Sequence, residues 1–502
     1  MSQIRRQSII SSLMVYIGFG LGFLNTYLYT KEGGFTPQQY GLVGIFVAIA
    51  SLMFSVANLG MPSYIGKFYP YYNDNLKKQQ NDLLSWALLI SLIGFALVTI
   101  AGVYFKDAII YKFGKNSPEL IQYYYWIFPF GLGLTLYSIL ESYSWQLKKS
   151  VFTNFLREIQ FRLFATILIF CTLLGYIANF DLFIKIYSFT YIGISIILLI
   201  NLLKNNYIHL TFKLSAVTKK FYKKGLTLIS FVFGGTLVYG ISMIFDSVVI
   251  ASVFGLSNVA IFSLGQYIAS IIQAPQRGII SSSIGPLSKA WKDKDMDKIK
   301  RIYQQSSINQ LIFAVGMFSL IWLNFSDGIY TFHLQPAYGA AKWVFFFIGL
   351  YRIVDMGTGV NAQIIATSTL WRFEFFTGTI LLLLTLPLTY ILTKTTLGII
   401  GPAIASLISF SIYNAIRCWF LYKKYHMQPF SNKTLYTIAL GLLSYFICYF
   451  LFHSFQGFWW MALRSTCFIV IYASGTILLK LSTDIAPLWN TFLKKLYLKN
   501  NN

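Results

Sequence analysis

Apolar runs of about 20 residues recur along the whole chain, and that recurrence limits the fold more than any motif does. A helix rises 1.5 Å per residue, so a run of this length crosses a hydrocarbon core about 30 Å thick. Runs are readable near residues 8-29, 41-66, 83-105, 120-140, 161-179, 183-203, 225-246, 257-284, 308-326, 340-366, 375-393, 397-416, 434-454 and 458-479. The 246-257 stretch is also apolar, so the seventh run can extend into it. Only 11% of the 502 residues are charged, and the mean hydropathy is +0.61. Soluble domains carry about 25% charged residues, and disordered chains lack apolar content. The expectation is an all-α polytopic membrane protein of about 14 transmembrane helices, since a lipid-exposed backbone must bond within its own segment.

A net charge of +24 in a soluble chain would suggest nucleic acid. Here its distribution argues otherwise, because Lys and Arg are retained in cytoplasmic loops. With an even number of spans, segments 1-7, 67-82, 144-162, 204-224, 286-301, 367-374, 417-433 and 480-502 share one side and hold 30 of the 40 Lys and Arg. The opposite side holds Lys31, Lys106, Lys112, Lys115, Lys342, Lys394 and Arg464. Both termini are therefore expected in the cytoplasm, with no nucleic-acid partner. The basic start has an apolar run too long for a signal peptide and is read as an uncleaved first span.

Sliding the chain by 219 residues lays Tyr40-Gly41-Leu42 over Val259-Ala260-Ile261, Ile49-Ala50-Ser51 over Ile268-Ala269-Ser270, and Ile65-Gly66 over Ile284-Gly285. Either two apolar helices are alike by chance, or the chain is two six-helix lobes. Six is even, so such lobes share one orientation and relate by a pseudo-two-fold along the membrane normal. This gives an N-lobe at 1-210, a C-lobe at 211-428, and two C-terminal helices with a basic cytoplasmic tail at 429-502.

Cys171, Cys418, Cys448 and Cys467 all fall in apolar segments, and the four histidines have no ligand spacing, so neither disulfides nor a metal are expected. There is no Walker motif, dinucleotide fingerprint or nucleophile elbow. The chain is not expected to be an enzyme, nor to need a cofactor.

Polar residues inside spans face a cavity or a neighbouring helix. In the eighth run Gln266, Ser270, Gln273 and Arg277 fall within about 60° of one another on a continuous helix. Pro275 interrupts it. Two readings are open: inter-helix glue with a snorkelling arginine, or a cationic face toward a hydrophilic cavity. In the tenth run Arg352, Asp355, Gly359 and Gln363 share a face. Asp355 is either a local ion-pair partner of Arg352 or the group that holds Arg352 for an anionic ligand. Asp246 of the seventh run is either a proton or cation site or a counter-charge for Arg277 or Arg352, and the repeat, allowing a two-residue gap, sets Asn25 opposite it. Glu141 reads as a solvated helix end, and Pro286 to Tyr303 as a short amphipathic helix at the cytoplasmic face.

Several stretches resemble the polysaccharide-export flippases of the multidrug/oligosaccharidyl-lipid/polysaccharide superfamily. They are Ile4-Arg5-Arg6-Gln7-Ser8-Ile9-Ile10, Phe35-Thr36-Pro37-Gln38-Gln39-Tyr40-Gly41-Leu42, Leu287-Ser288-Lys289-Ala290-Trp291 with Asp295 and Ile299, and Asp355-x-Gly-x-Gly-x-Asn361. The resemblance implies two lobes around a central V-shaped cavity, and alternating-access transfer of a polyprenyl-diphosphate-linked oligosaccharide from the inner to the outer leaflet. The cargo would be an O-antigen, capsule or exopolysaccharide repeat unit. It also implies a bacterial inner membrane, contact with membrane lipids and a polysaccharide polymerase partner. Arg277 and Arg352 become the candidates for the diphosphate; Gln266, Gln273, Asn361 and Asn25 for polar cavity contacts; and Asp246 and Asp355 for ion pairing or for coupling to H+ or Na+. Membrane potential alone is the other drive. The alternative is a cation-coupled multidrug or metabolite exporter of the same superfamily. A membrane-embedded glycan polymerase or acyltransferase would have to rely on Asp327 and His333.

Overall fold

The computed structural model describes residues 3–482, which form α-helices joined by short turns. The chain divides by internal contacts into two compact units, Met1–Ala260 and Ile261–Asn502. The first contains α1 (Gln3–Thr30), α2 (Pro37–Ala57), α3 (Met61–Asn75), α4 (Leu83–Tyr104), α5 (Lys106–Phe113), α6 (Pro118–Gln122), α7 (Ile127–Gln146), α8 (Ser150–Asn154), a π-helical turn at Phe155–Gln160, α9 (Phe161–Leu173), α10 (Phe180–Ser188), α11 (Thr190–Lys204) and α12 (Ala216–Phe254). α13 (Leu256–Ser270) begins in the first unit and continues into the second. There follow α14 (Gln276–Asp293), α15 (Met296–Thr331), α16 (Ala341–Gly357), α17 (Asn361–Thr367), α18 (Trp371–Thr393), α19 (Gly401–Tyr425), α20 (Asn432–Phe452) and α21 (Phe458–Leu478).

Each of the fourteen expected runs overlies one or more of these helices. Nine helical stretches among the described residues are long and apolar enough to cross a membrane, and Ile244–Phe254 is a shorter apolar helix. Fourteen remains the sequence expectation for the number of crossings. α12 does extend through 246-254, and it packs along α2 and α3 within the first unit.

Local chemistry explains the element ends. Thr36 accepts the N–H of Gln39 while the Gln39 side chain accepts the N–H of Thr36, and Pro37 needs no amide partner in the first turn. The Tyr40-Gly41 entry is a close contact, since a Cβ at Gly41 would sit 1.9 Å from the Leu256 carbonyl oxygen. The 41-66 run is not one helix. Asn58 Nδ2 bonds back to the Phe54 carbonyl at 2.7 Å, and its Oδ1 accepts the Gly60 N–H at 2.7 Å. Leu59 and Gly60 have positive φ, so α2 stops and α3 restarts. Asp82, fully buried, accepts from the Ser215 amide at 2.9 Å and from the Thr218 hydroxyl at 2.8 Å, fastening the start of α4 to that of α12. The expected amphipathic helix at 286-303 is divided. It ends α14 and begins α15, with Asp295 capping the Lys298 amide at 2.9 Å.

Candidate functional site

The eighth run carries the largest departure from expectation. A continuous helix would align Gln266, Ser270, Gln273 and Arg277, but the chain turns over residues 271-275 between α13 and α14. Pro275 has no N–H, and successive i→i+3 bonds (Ile271 to Ile268, Ile272 to Ala269, Gln273 to Ser270) replace the helical ladder. The single stripe is therefore corrected. Gln266 is exposed on α13, Gln273 lies in the turn, and Arg277 lies on α14 with a side chain outside the described residues.

A second break falls between α16 and α17, where Gly359 has φ +64° and a Cβ would lie 2.8 Å from Ser306 Oγ. Irregular backbone at membrane depth needs a polar lining or buried partners. Here it has partners. Gln273 donates to Gln276 at 2.6 Å, and Gln276 donates to Asp355 Oδ2 at 2.9 Å. Asn414 of α19 donates to Asp355 Oδ1 at 3.1 Å, and its own Oδ1 accepts from Asn361 at 2.9 Å and Thr358 at 3.0 Å. The two helix breaks thus end in one network, which joins Gln273, Asp355 and Asn361. Gln276, Thr358 and Asn414 complete it. Asn414 escapes sequence reading because a single amide in the apolar 397-416 run carries no spacing signal.

Arg352 is not the ion-pair partner of Asp355 among the described residues; the carboxylate is held by amides instead. Its guanidinium lies 4.3 Å above the Tyr351 ring, and Nε is buried without a hydrogen-bond partner. Tyr351 stacks in turn on Phe410. A planar cation braced on one face and only partly satisfied suits an incoming anion. Arg417, counted by sequence among the cytoplasmic loop cations, is 3% exposed, pairs with Glu374 and Tyr413, and joins α18 to α19.

The remaining candidates lie in the first unit. Asn25 is buried, donates to the Arg162 carbonyl at 2.9 Å and accepts from Thr166 at 2.6 Å, so it binds α1 to α9. Asp246 is half-buried on α12 and has a partner of its own. Glu141 is not a solvated end. It is 4% exposed and pairs with Arg157 at 3.2 Å, beside a second pair of Arg162 with Glu158 at 3.0 Å. The π turn sets these two arginines on the α9 side of the unit, a placement that 3.6-residue periodicity does not reveal.

Asp327 does not lie in an open outer loop. Arg464 donates to it at 2.6 Å and to Asn324 at 2.9 Å, which ties α21 to α15. Among the described residues no group of three His, Cys, Asp or Glu is placed to hold a metal.

No protein-family model and no curated protein matches the chain. Solved structures do match its fold. The lipid II flippase MurJ in its inward closed conformation aligns with a TM-score of 0.71 over 94% of this chain and 99% of its own, at 18% identity. An inward-facing multidrug resistance MATE family transporter aligns at 0.62 over 82% and 93%, at 15% identity. The MATE multidrug transporter DinF-BH aligns at 0.53 over 84% and 95%, at 15% identity. These likenesses establish an all-α, multi-pass membrane fold shared with flippases and transporters.

Proposed function

We propose that the protein is a flippase of the multidrug/oligosaccharidyl-lipid/polysaccharide superfamily, with both termini in the cytoplasm of a bacterial inner membrane. Its cargo is a polyprenyl-diphosphate-linked oligosaccharide such as an O-antigen, capsule or exopolysaccharide unit, passed to polymerase machinery outside. The observation that carries this reading is the near end-to-end likeness to the lipid II flippase MurJ. In the mechanism, the isoprenoid tail stays in lipid. Arg352 and Arg277 receive the diphosphate, and Gln266 and Gln273 meet sugar hydroxyls, while Asn361, buried and bonded to Asn414, braces the break after α16 rather than meeting the sugar. Alternating access then exposes the headgroup to the other leaflet. Outward movement of an anion from a negative interior gains about 2.3 kcal/mol per charge per 100 mV. Two charges supply roughly 4 to 5 kcal/mol, enough to bias the cycle without ATP. Asp246 or Asp355 could add H+ or Na+ coupling.

The test is transfer of a lipid-linked oligosaccharide across vesicles containing the purified chain, read as lectin access to the outer leaflet. The MATE likenesses favour a second reading, a cation-coupled exporter of organic cations. That reading predicts dye extrusion dependent on Asp246 or Asp355 and no lectin-accessible glycan.

A further inference from the structure

We propose that Cys448 and Cys467 form a dithiol modification site, which a lipid-soluble two-electron acceptor of the quinone class closes into a disulfide between α20 and α21. Spacing along the chain pairs none of the four cysteines, and all four are free thiols in this structure. Folding brings these two together. The Cys448 thiol is in hydrogen-bond contact with that of Cys467.

The register of the helix pair explains the contact. α20 and α21 run antiparallel, joined by the turn at 453-457. Leu440, Ser444 and Cys448 lie on one i, i+4 ridge of α20, and Gly475, Ile471 and Cys467 lie on the matching ridge of α21. A Cβ at Gly475 would fall 2.4 Å from Leu440 Cδ1, so the missing side chain lets the two ridges close at that end. At the other end the Phe452 and Trp460 rings meet with centroids 6.5 Å apart. Between these two fixed points Cys448 and Cys467 fall opposite each other. Both belong to the apolar cluster that α15 shares with α20 and α21.

The two thiols differ in access. Cys448 is fully buried, whereas Cys467 is partly exposed. Leu463, Ile469 and Val470 are exposed beside Cys467 on α21. An apolar face on a membrane-spanning helix meets acyl chains, which exclude hydrophilic oxidants and dissolve quinones. Quinones serve as the final acceptor for thiol oxidation in the bacterial envelope. Cys467 meets the acceptor first, and Cys448 supplies the second sulfur. Both S–H bonds break and one S–S bond forms; two electrons and two protons pass to the acceptor, which leaves as the hydroquinone. The other cysteines are not so placed. Cys418 shares a hydrogen bond with the Tyr303 hydroxyl at 3.4 Å, and Cys171 lies in the other unit. The product ties α20 to α21 covalently, whichever cargo the protein carries.

The test uses the full chain in detergent, reduced and then freed of reductant, with decylubiquinone as the acceptor. Free thiols are counted by maleimide labelling after denaturation, and peptides are read by mass spectrometry. The wild type is expected to lose two of its four thiols and to regain both with dithiothreitol. It should also yield a peptide in which Cys448 is linked to Cys467, lighter by the two thiol hydrogens. Cys171→Ser/Cys418→Ser should form the same link. Cys448→Ser and Cys467→Ser should each keep all their remaining thiols. Hydrogen peroxide at the same concentration should oxidise the pair more slowly than the quinone, and equal or faster oxidation by peroxide overturns the quinone assignment. Four thiols surviving the quinone overturn the inference, as does a link that includes Cys171 or Cys418, or a quinone adduct that dithiothreitol does not remove. If a serine variant fails to fold, the linked peptide from the wild type decides, and its absence overturns the inference.

Discussion

Asn414 spans the distance between Asp355 and the break after α16: its Nδ2 donates to Asp355 Oδ1 at 3.1 Å while its Oδ1 accepts from Asn361 and Thr358. One buried amide therefore holds α16, α17 and α19 together where regular helix gives out. Asn414→Ala leaves Asp355 with the Gln276 amide as its donor and strips two further donors of their acceptor. A hydrogen bond to a charged group contributes about 1.5–3 kcal/mol, so a loss of that size is expected. Asn414→Asp should be worse, because it sets a second acid beside the first. Thermal unfolding in detergent checks both, and a wild-type midpoint in either variant contradicts the role assigned to Asn414.

Arg464 and Asp327 test a different kind of contact. Their side chains are 7% and 10% exposed, and they form an ion pair between α21 and α15. Removing one partner leaves the other charge buried and costs about 3–5 kcal/mol. Arg464→Leu alone should strongly lower the unfolding midpoint, and Arg464→Leu/Asp327→Leu should recover much of the loss. Under the flippase reading Asp327→Asn keeps transport in proportion to the folded protein that remains. Complete loss of glycan with unchanged folded protein would instead point to chemistry at Asp327.

The apolar runs were legible because the bilayer dictates their length and composition, and every run overlies helix. Interruptions were legible only where chemistry announces them. Pro275 marked its break, although the reading that kept Gln266 and Arg277 on one stripe underestimated how far the proline displaces the helix. The Asn58-Leu59-Gly60 break has no proline and passes as continuous apolar sequence. Site residues divided similarly. Asp355 stood out as a charge in lipid, yet its amide partners Gln276 and Asn414 come from elements 79 and 59 positions away. Arg417 was read only as a loop cation because counting credits any arginine near a span end to the loop, and its burial against Glu374 carries no sequence signal.

Gly41 and Gly20 make a matched pair. A Cβ at Gly41 would fall 1.9 Å from the Leu256 carbonyl oxygen, a backbone atom that cannot turn aside. At Gly20 a Cβ meets nothing within 4 Å. Gly41→Ala should therefore separate α2 from the start of α13 and cost about 1–3 kcal/mol. Gly20→Ala should be neutral or gain about 0.5–1 kcal/mol by restricting the unfolded backbone. Paired unfolding curves decide the matter, and equal midpoints would mean that the α2 contact is looser than the structure has it.

The functional prediction turns on the separation of Arg352 from Asp355. If Asp355 had been the counter-charge of Arg352, neutralising it would free the guanidinium and alter headgroup binding directly. Its bonds run to Gln276 and Asn414 instead, so Asp355→Asn should mainly affect stability and leave the affinity for a diphosphate-linked headgroup close to wild type. Arg352→Ala should weaken that affinity about 10- to 100-fold, the equivalent of one charge-assisted bond of about 1.5–3 kcal/mol. Arg352→Lys should fall between, since an ammonium keeps the charge but loses the planar stack on Tyr351. Arg277→Ala/Arg352→Ala should abolish surface glycan in cells. The measurement is binding of a short-chain diphosphate-linked glycan to each purified variant, with surface glycan scored in parallel. Undiminished glycan in the double arginine variant, together with loss of organic-cation extrusion in Asp355→Asn, would transfer the assignment from flippase to cation exporter.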